Sequence, residues 1–154
     1  MKKIMYIFAA GLLSLAAASC GSKSESTEAG DVIVSPEAGA NGIVTLTQGD
    51  YYSPAQPVDR LTVIDFNAKW CGPCRAFAPV FEEAAKAYKG RVTFVSVDID
   101  TVPDMMPEFD LEPIIPTVLI IKPDGSYTSY VGTGDLLPYD KFAKLLDNAL
   151  GETK

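Results

Sequence analysis

Two cysteines separated by two residues give this sequence its most distinctive chemistry. Cys71 and Cys74 enclose Gly72-Pro73, and a thiolate in such a pair can attack a disulfide while its neighbour completes the exchange. A zinc site would need two further cysteine or histidine ligands, but the sequence has no histidine and one other cysteine, Cys20. A structural staple is disfavoured because so short a loop constrains little of the unfolded chain. The pattern therefore predicts a reversible redox pair.

The position of the pair predicts a different role for each thiol. Cys71 falls at the start of a helix predicted over Pro73–Tyr88, where unpaired backbone N–H groups and the helix dipole favour an anion. We therefore expect Cys71 to form the attacking thiolate. Cys74, one turn further along and less exposed, would resolve the mixed disulfide. Gly72 permits a tight turn, and Pro73 suits the first helical turn because its missing N–H leaves no bond unmade.

A carboxylate interrupts the apolar run that precedes the pair. Asp65 lies in Leu61–Phe66, which is predicted to be a buried strand. A buried carboxylate without a partner is costly unless it is protonated, so we expect a raised pKa for Asp65. Such a group could take the proton from Cys74 as that thiol attacks. The alternative is a solvent-facing position at the edge of the sheet. Lys69 could tune Asp65, but we expect Lys69 at the surface.

A proline stands just before another predicted strand. Pro116 precedes the run Thr117–Ile121, where its missing N–H is tolerated. If the Ile115–Pro116 peptide bond is cis, the backbone groups of Ile115 would turn outward and could pair with an extended substrate chain. An X-Pro bond before a strand is usually trans, so the residues alone leave both isomers open.

Alternating strands and helices position these residues. Periodicity and turn residues predict the order β-β-α-β-α-β-β-α, over residues 43–46, 61–66, 73–88, 92–97, 104–109, 117–121, 126–131 and 138–150. A helix between early strands implies a right-handed parallel crossover, whereas Pro123-Asp124-Gly125 predicts an antiparallel hairpin. The fold class is therefore α/β, with a mixed central β-sheet flanked by helices on both faces. The cysteine pair follows the second strand, at the sheet edge where such folds place their reactive groups.

The beginning of the chain has the composition of an export signal. A basic start precedes the apolar run Ile4–Leu15, and small residues then lead to Cys20. Residues 1–20 resemble a bacterial lipoprotein signal peptide, in which the cysteine is lipidated and becomes the new N-terminus. The alternative is ordinary cleavage after Ala18, which leaves Cys20 as a free thiol. Either way we expect an exported protein, and lipidation predicts the periplasmic side of a bacterial membrane.

Composition divides the rest of the chain into two parts. Residues 21–42 are rich in Ser, Gly, Glu and Ala and are predicted to be a flexible tether, and residues 43–151 are predicted to be one folded domain. The formal net charge of −7 argues against nucleic-acid binding, which needs clustered Lys and Arg. We expect a monomer.

The residues around the cysteine pair closely resemble the thioredoxin family. The matching motifs keep the family's order over residues 43–150: Val63–Arg75 resembles its active-site segment, Phe77-Ala78-Pro79 its kinked helix, Val97–Asp100 the end of its third strand and Ile115-Pro116-Thr117 its cis-proline loop. The resemblance implies the thioredoxin fold, a Cys71 nucleophile, a Cys74 resolving thiol and Asp65 as buried acid/base. It implies no cofactor beyond a redox-active Cys71–Cys74 disulfide, and no metal.

The resemblance also implies where a substrate binds and where this chain departs from the family. The implied substrate-binding positions are Trp70, Gly72, Pro73, Ile115, Pro116 and Gly132. Asn67 stands where thioredoxins usually carry a second tryptophan, and Ser96 stands where many carry a lysine paired with the buried aspartate. We therefore expect Asp65 to be tuned differently here.

These features predict an exported thiol–disulfide oxidoreductase. The Gly72-Pro73 dipeptide resembles the reducing members of the family, so we expect reduction of protein disulfides. A membrane dithiol donor would recharge the pair, and lipidated Cys20 would hold the protein at the membrane. Two alternatives remain open from the residues: a disulfide-donating oxidase, and a redox-inactive module that binds or chaperones its substrates.

Overall fold

The computed structural model describes residues 39–50 and 58–152, and the elements there follow the predicted order. Every predicted element is present, with ends within one residue of the prediction. They are β1 (Ile43–Thr45), β2 (Leu61–Asn67), α1 (Gly72–Ala87), β3 (Val92–Asp98), α2 (Met105–Glu108), β4 (Thr117–Ile121), β5 (Tyr127–Val131) and α3 (Tyr139–Leu150). The predicted signal segment with Cys20 and most of the predicted tether lie outside the described residues.

The sheet topology places the termini of four strands side by side along one edge of the sheet. The five strands lie in the order β1-β3-β2-β4-β5. β1, β3 and β2 are parallel, β4 is antiparallel to β2, and β5 is antiparallel to β4. Thr117, the first residue of β4, therefore pairs with Phe66 near the end of β2 and with Val131 at the end of β5. The ends of β2, β3 and β5 and the start of β4 thus share one edge, where the cysteine pair follows β2.

Apolar side chains cover both faces of this sheet, as predicted. On one face the rings of Phe77 and Phe81 in α1 pack against Phe142 in α3, with 5.2 Å between the Phe77 and Phe142 centroids. On the other face Met105 of α2 and Phe109 just after it belong to a second buried cluster. The second face is covered by a helix of only four residues and its flanking loops. β2 lies between the two clusters and is buried over six of its seven residues, as expected for a central strand.

The start of the described chain is tied to the sheet. Residues 39–42, at the end of the predicted tether, form a turn in which the Gly39 N–H donates to the Ile43 carbonyl at 2.9 Å. The Asn41 side-chain oxygen accepts from the Ile43 N–H at 3.2 Å. This turn therefore fixes the first residue of β1. Within residues 39–50 and 58–152, no helix is both long and apolar enough to cross a membrane.

The far ends of α1 and α3 are joined through one tyrosine. Tyr88 follows α1 and is buried, and its hydroxyl lies 2.7 Å from Asp147 Oδ1 and 3.1 Å from the Ala143 carbonyl oxygen. Arg91 covers the tyrosine ring at 4.8 Å and forms an exposed ion pair with Glu152. The helix that begins at the cysteine pair is thereby anchored to α3 at its opposite end.

Candidate active site

The cysteine pair is a disulfide at the beginning of α1. The Cys71–Cys74 S–S distance is 2.02 Å and the Cα atoms are 5.3 Å apart. Cys71 is the N-cap residue, and its Sγ accepts the backbone N–H of Cys74 at 3.2 Å. Gly72 and Pro73 form the first two helical positions, so the predicted placement of the pair is confirmed. A sulfur at an N-cap faces backbone donors that favour negative charge.

Burial does not distinguish the two cysteines. Cys71 is 4% exposed and Cys74 is 5% exposed, so the expectation that Cys74 is the less exposed residue is wrong. Ala68 shares a buried cluster with the pair, and Ile115 packs against that cluster. These contacts come from the turn before α1 and from the loop before β4, and sequence periodicity within one helix could not reveal them.

Asp65 is a buried carboxyl group on the face of β2 that α1 covers. It is 5% exposed, which excludes the alternative of a solvent-facing edge position. Oδ2 accepts the Asn67 side-chain amide at 3.0 Å, whereas Oδ1 is buried without a hydrogen-bond partner among the described residues. Burial raises the pKa of Asp65 to about 7, although the hydrogen bond from Asn67 lowers it. The predicted direction of the shift is confirmed.

A partly open cavity lies beside both Asp65 and the second cysteine of the pair. Its volume is about 240 Å³, and both Asp65 and Cys74 line it. Lys69 and Glu82 also line it and are exposed, which makes them part of its opening to solvent. Lys69 is thus a surface residue, as expected. The cavity gives a buried acid and a buried sulfur access to the same volume.

The loop before β4 lies beside the pair because β4 starts at the end of β2. The Ile115–Pro116 peptide bond is cis. The Pro116 carbonyl accepts the Gly132 N–H at 2.8 Å, and the Thr117 hydroxyl donates to the Ile114 carbonyl at 2.6 Å. Two hydrogen bonds therefore fix the conformation of this loop, and Ile115 packs against the disulfide cluster. The Leu137–Pro138 bond is also cis, which the sequence did not suggest.

An exposed apolar rim lies at the same edge. Trp70 is 64% exposed, and Ile114 and Val131 are also exposed. The Trp70 indole N–H donates to Asp100 Oδ2 at 2.8 Å. Sequence reasoning identified Trp70 as a residue of the site but did not identify Ile114, Val131 or Asp100. The signal was available for Asp100, because it follows β3 and the carboxyl ends of parallel strands share one edge.

The described residues offer no competing metal centre. No group of three or more Cys, Asp or Glu side chains within residues 39–50 and 58–152 could hold a metal ion. Among the same residues Asp65 forms no ion pair, whereas Arg60 pairs with Asp59 and Arg91 pairs with Glu152. The geometry thus defines a class of protein, an α/β domain with a Cys-x-x-Cys disulfide at a helix N-cap above a buried acid.

Comparison with known proteins shows to which family this class of domain belongs. The family model described as Thioredoxin matches residues 42–147. Thioredoxin of Staphylococcus aureus is 32% identical over 108 residues, which cover 70% of this chain and 98% of that protein. Thioredoxin-T of Drosophila melanogaster is 38% identical over 93 residues, which cover 60% of this chain and 56% of that protein, so the match spans little more than half its length. A crystal structure of chloroplastic thioredoxin z has a TM-score of 0.53 and 29% identity, covering 60% of this chain and 80% of that one.

The chain belongs to the thioredoxin family and has the thioredoxin fold. Family membership and the Cys71–Cys74 disulfide together support thiol–disulfide oxidoreductase chemistry.

Proposed function

We propose that this protein is an exported protein-disulfide reductase that acts by dithiol–disulfide exchange through Cys71 and Cys74. The observation that carries the proposal is the disulfide at the N-cap of α1, which shares a cavity with the buried acid Asp65. The redox-active disulfide is the only cofactor proposed, and the substrates are disulfides of other proteins.

The first step is an attack by the reduced enzyme. The Cys71 thiolate is stabilised by the N-cap, where the Cys74 N–H points at its sulfur. It attacks one sulfur of the client disulfide, forming a bond between Cys71 and the client. The client S–S bond breaks, and the other client sulfur leaves as a thiolate.

The second step releases the reduced client. Cys74 transfers its proton to the Asp65 carboxylate, through water in the shared cavity, and attacks the Cys71 sulfur. The bond between Cys71 and the client breaks, the Cys71–Cys74 bond forms, and the second client sulfur leaves as a thiolate. Two electrons have then passed to the client. A pKa of about 7 for Asp65 suits this role, because an acid or base works best when its pKa lies near the operating pH.

We also propose that a client binds in extended form beside the loop before β4. Within the described part of the chain the backbone N–H and carbonyl of Ile115 form no hydrogen bond, so both can pair with an added strand. The exposed apolar side chains of Trp70, Ile114 and Val131 supply contact area for client side chains. The proposed binding residues are Trp70, Gly72, Pro73, Ile115, Pro116 and Gly132.

Export rests on the sequence of residues 1–20. We propose that Cys20 is lipidated and holds the domain at the periplasmic side of a bacterial membrane, where a membrane dithiol donor recharges the pair. Mass spectrometry of the mature N-terminus tests this proposal. An acylated Cys20 is expected, whereas a chain that begins at Ser19 would contradict lipidation and leave export by ordinary cleavage.

Two serine variants test the reductase mechanism with insulin as the client. Cys71→Ser should abolish insulin reduction and form no mixed disulfide. Cys74→Ser should also lose turnover but should accumulate a mixed disulfide with insulin through Cys71. The two residues are buried to the same degree, so each variant controls for the structural cost of the other. Undiminished reduction by Cys71→Ser would overturn the mechanism.

The direction of electron flow is tested separately. Equilibration of the pair with mixtures of reduced and oxidised glutathione measures how strongly the dithiol donates electrons. A pair that stays largely reduced in the more oxidising mixtures would favour a disulfide-donating oxidase instead. The third alternative, a redox-inactive binding module, is tested with a double variant that carries Cys71→Ser and Cys74→Ser. Full cellular function of this variant would contradict both the reductase and the oxidase and would favour the binding module.

A further inference from the structure

One side-chain amide connects the buried acid with the neighbouring strand. The Asn67 amide nitrogen lies 3.0 Å from Asp65 Oδ2, 2.9 Å from Ser96 Oγ and 3.1 Å from the Asp65 carbonyl oxygen. Asp65 and Ser96 are direct neighbours in the β2–β3 register, and Asn67 is two residues along β2. Since side chains alternate along a strand, all three lie on the face that α1 covers.

This arrangement treats the two carboxyl oxygens of Asp65 differently. Oδ2 accepts a hydrogen bond from the Asn67 amide, while Oδ1 is buried and has no partner among the described residues. An oxygen that already accepts an amide hydrogen is the poorer place for an added proton. The free oxygen, Oδ1, is therefore the better proton acceptor on a carboxyl group that lines the same cavity as Cys74.

Among the described residues no lysine or arginine forms an ion pair with the Asp65 carboxyl group. The charged and titratable groups that share the cavity with Asp65 come from α1 and from the turn before it: Cys74, Arg75, Glu82 and Lys69. β1 and β3 contribute only uncharged residues to the cavity lining, such as Thr45 and Ser96. Among the described residues Asn67 is thus the only side chain that hydrogen-bonds to the Asp65 carboxyl group.

We propose that Asn67 is the positioning residue of the buried acid: bridged to Ser96, it holds Asp65 Oδ2 and leaves Oδ1 to exchange the proton with Cys74. The proposal rests on the proposed dithiol–disulfide exchange. The proton leaves the Cys74 sulfur as its electron pair attacks Cys71, and it arrives at Oδ1 of the ionised carboxyl group.

Asn67→Leu tests the proposal because it keeps the approximate size and removes the donor. An amide donor stabilises the ionised carboxylate, so its loss should raise the pKa of Asp65 further. The titration midpoint of the Asp65 carboxyl carbon, followed by NMR in the oxidised protein, should rise by about one pH unit or more. Asn41→Leu is the matched control, since Asn41 lines the cavity but bonds to Ile43 rather than to Asp65. In this variant the Asp65 midpoint should stay at the wild-type value.

Two readouts separate this proposal from the proposed function. The titration uses the disulfide form and needs no turnover, whereas insulin reduction by the wild type tests the reductase. An unchanged midpoint in both Asn67→Leu and the smaller Asn67→Ala would overturn the positioning role even in an active enzyme.

The second phase of coloured thiolate release from an aromatic disulfide reagent reports the Cys74 step. In Asn67→Leu the pH dependence of this rate should shift to higher pH together with the Asp65 midpoint. An unshifted pH dependence would also overturn the positioning role.

Discussion

Replacement of Asp65 by asparagine should make the oxidised protein more stable at neutral and alkaline pH. Asn keeps the shape of the side chain and an oxygen that can accept the Asn67 amide. It removes the charge that the folded protein must otherwise bury at a position only 5% exposed. Removal of an ionisable group from beside the redox pair is thus expected to stabilise the fold while it impairs the Cys74 step.

The size of the effect follows from the pKa of this one group. Burial raises the pKa of Asp65 from an ordinary value of 3.8 to about 7. Between these two pH values the unfolded chain has released the proton while the folded protein still holds it, so stability falls as pH rises. At about 1.4 kcal/mol per pH unit, full ionisation of Asp65 costs the folded protein roughly 4 kcal/mol. That is a large part of the 5–15 kcal/mol that typically stabilises a domain, so we expect a clear signal.

Urea unfolding of the oxidised protein at a series of pH values measures this cost. The disulfide form is used because its thiols do not titrate. The free energy of unfolding of Asp65→Asn minus that of the wild type should grow by roughly 4 kcal/mol between about pH 4 and pH 8. Asp135→Asn removes an exposed carboxylate and is measured in parallel as the control for the loss of one negative charge. If Asp65→Asn behaved like this control, Asp65 would not be a buried acid of raised pKa.

Two further predictions concern the surroundings of the site. Asp100→Ala removes the acceptor of the Trp70 indole N–H. Trp70 is the single tryptophan of the chain, so its fluorescence anisotropy decay should show faster local motion, and an unchanged decay would mean that Asp100 does not hold the ring. Tyr88→Phe removes a buried hydroxyl bonded to Asp147 and should lower the free energy of unfolding by about 1–2 kcal/mol. Because Tyr88 lies at the opposite end of α1, insulin reduction should be unchanged, and a loss of activity would reveal coupling along the helix.

Local sequence signals predicted the fold closely because its elements are locally consistent. β2 is an apolar run bounded by turn residues, and α1 repeats apolar residues at three and four. Gly151 ends α3 in a left-handed conformation with φ of 76°, which glycine adopts without strain. The N-cap position of Cys71 followed from Gly72-Pro73, since proline is favoured in the first helical turn. Each of these signals acts within a few residues of the chain.

The features that escaped prediction depend on contacts between distant segments. Asn67 and Ser96 were recognised as departures from the family, but their hydrogen bond joins residues 29 apart and becomes visible only with the β2–β3 register. The equal burial of the two cysteines likewise depends on Ile115, which packs onto their cluster from the loop before β4. Alternation along β2 could have placed Asn67 on the same face as Asp65, but it could not show that one amide would bridge two strands.

The N-cap and the buried acid affect the reduced pair in opposite directions. In the proposed mechanism reduction creates a thiolate at Cys71. Stabilisation of that thiolate by the helix N-terminus would favour the dithiol and weaken it as an electron donor. An ionised Asp65 on the same cavity as Cys74 disfavours that negative charge, so it favours the disulfide and strengthens the dithiol as a donor. Because the pKa of Asp65 is about 7, the second effect grows with pH across the neutral range. No cation among the described residues forms an ion pair with this carboxylate. The buried acid is therefore a physical reason to expect a reductase rather than an oxidase, and the exchange with glutathione measures which effect is larger.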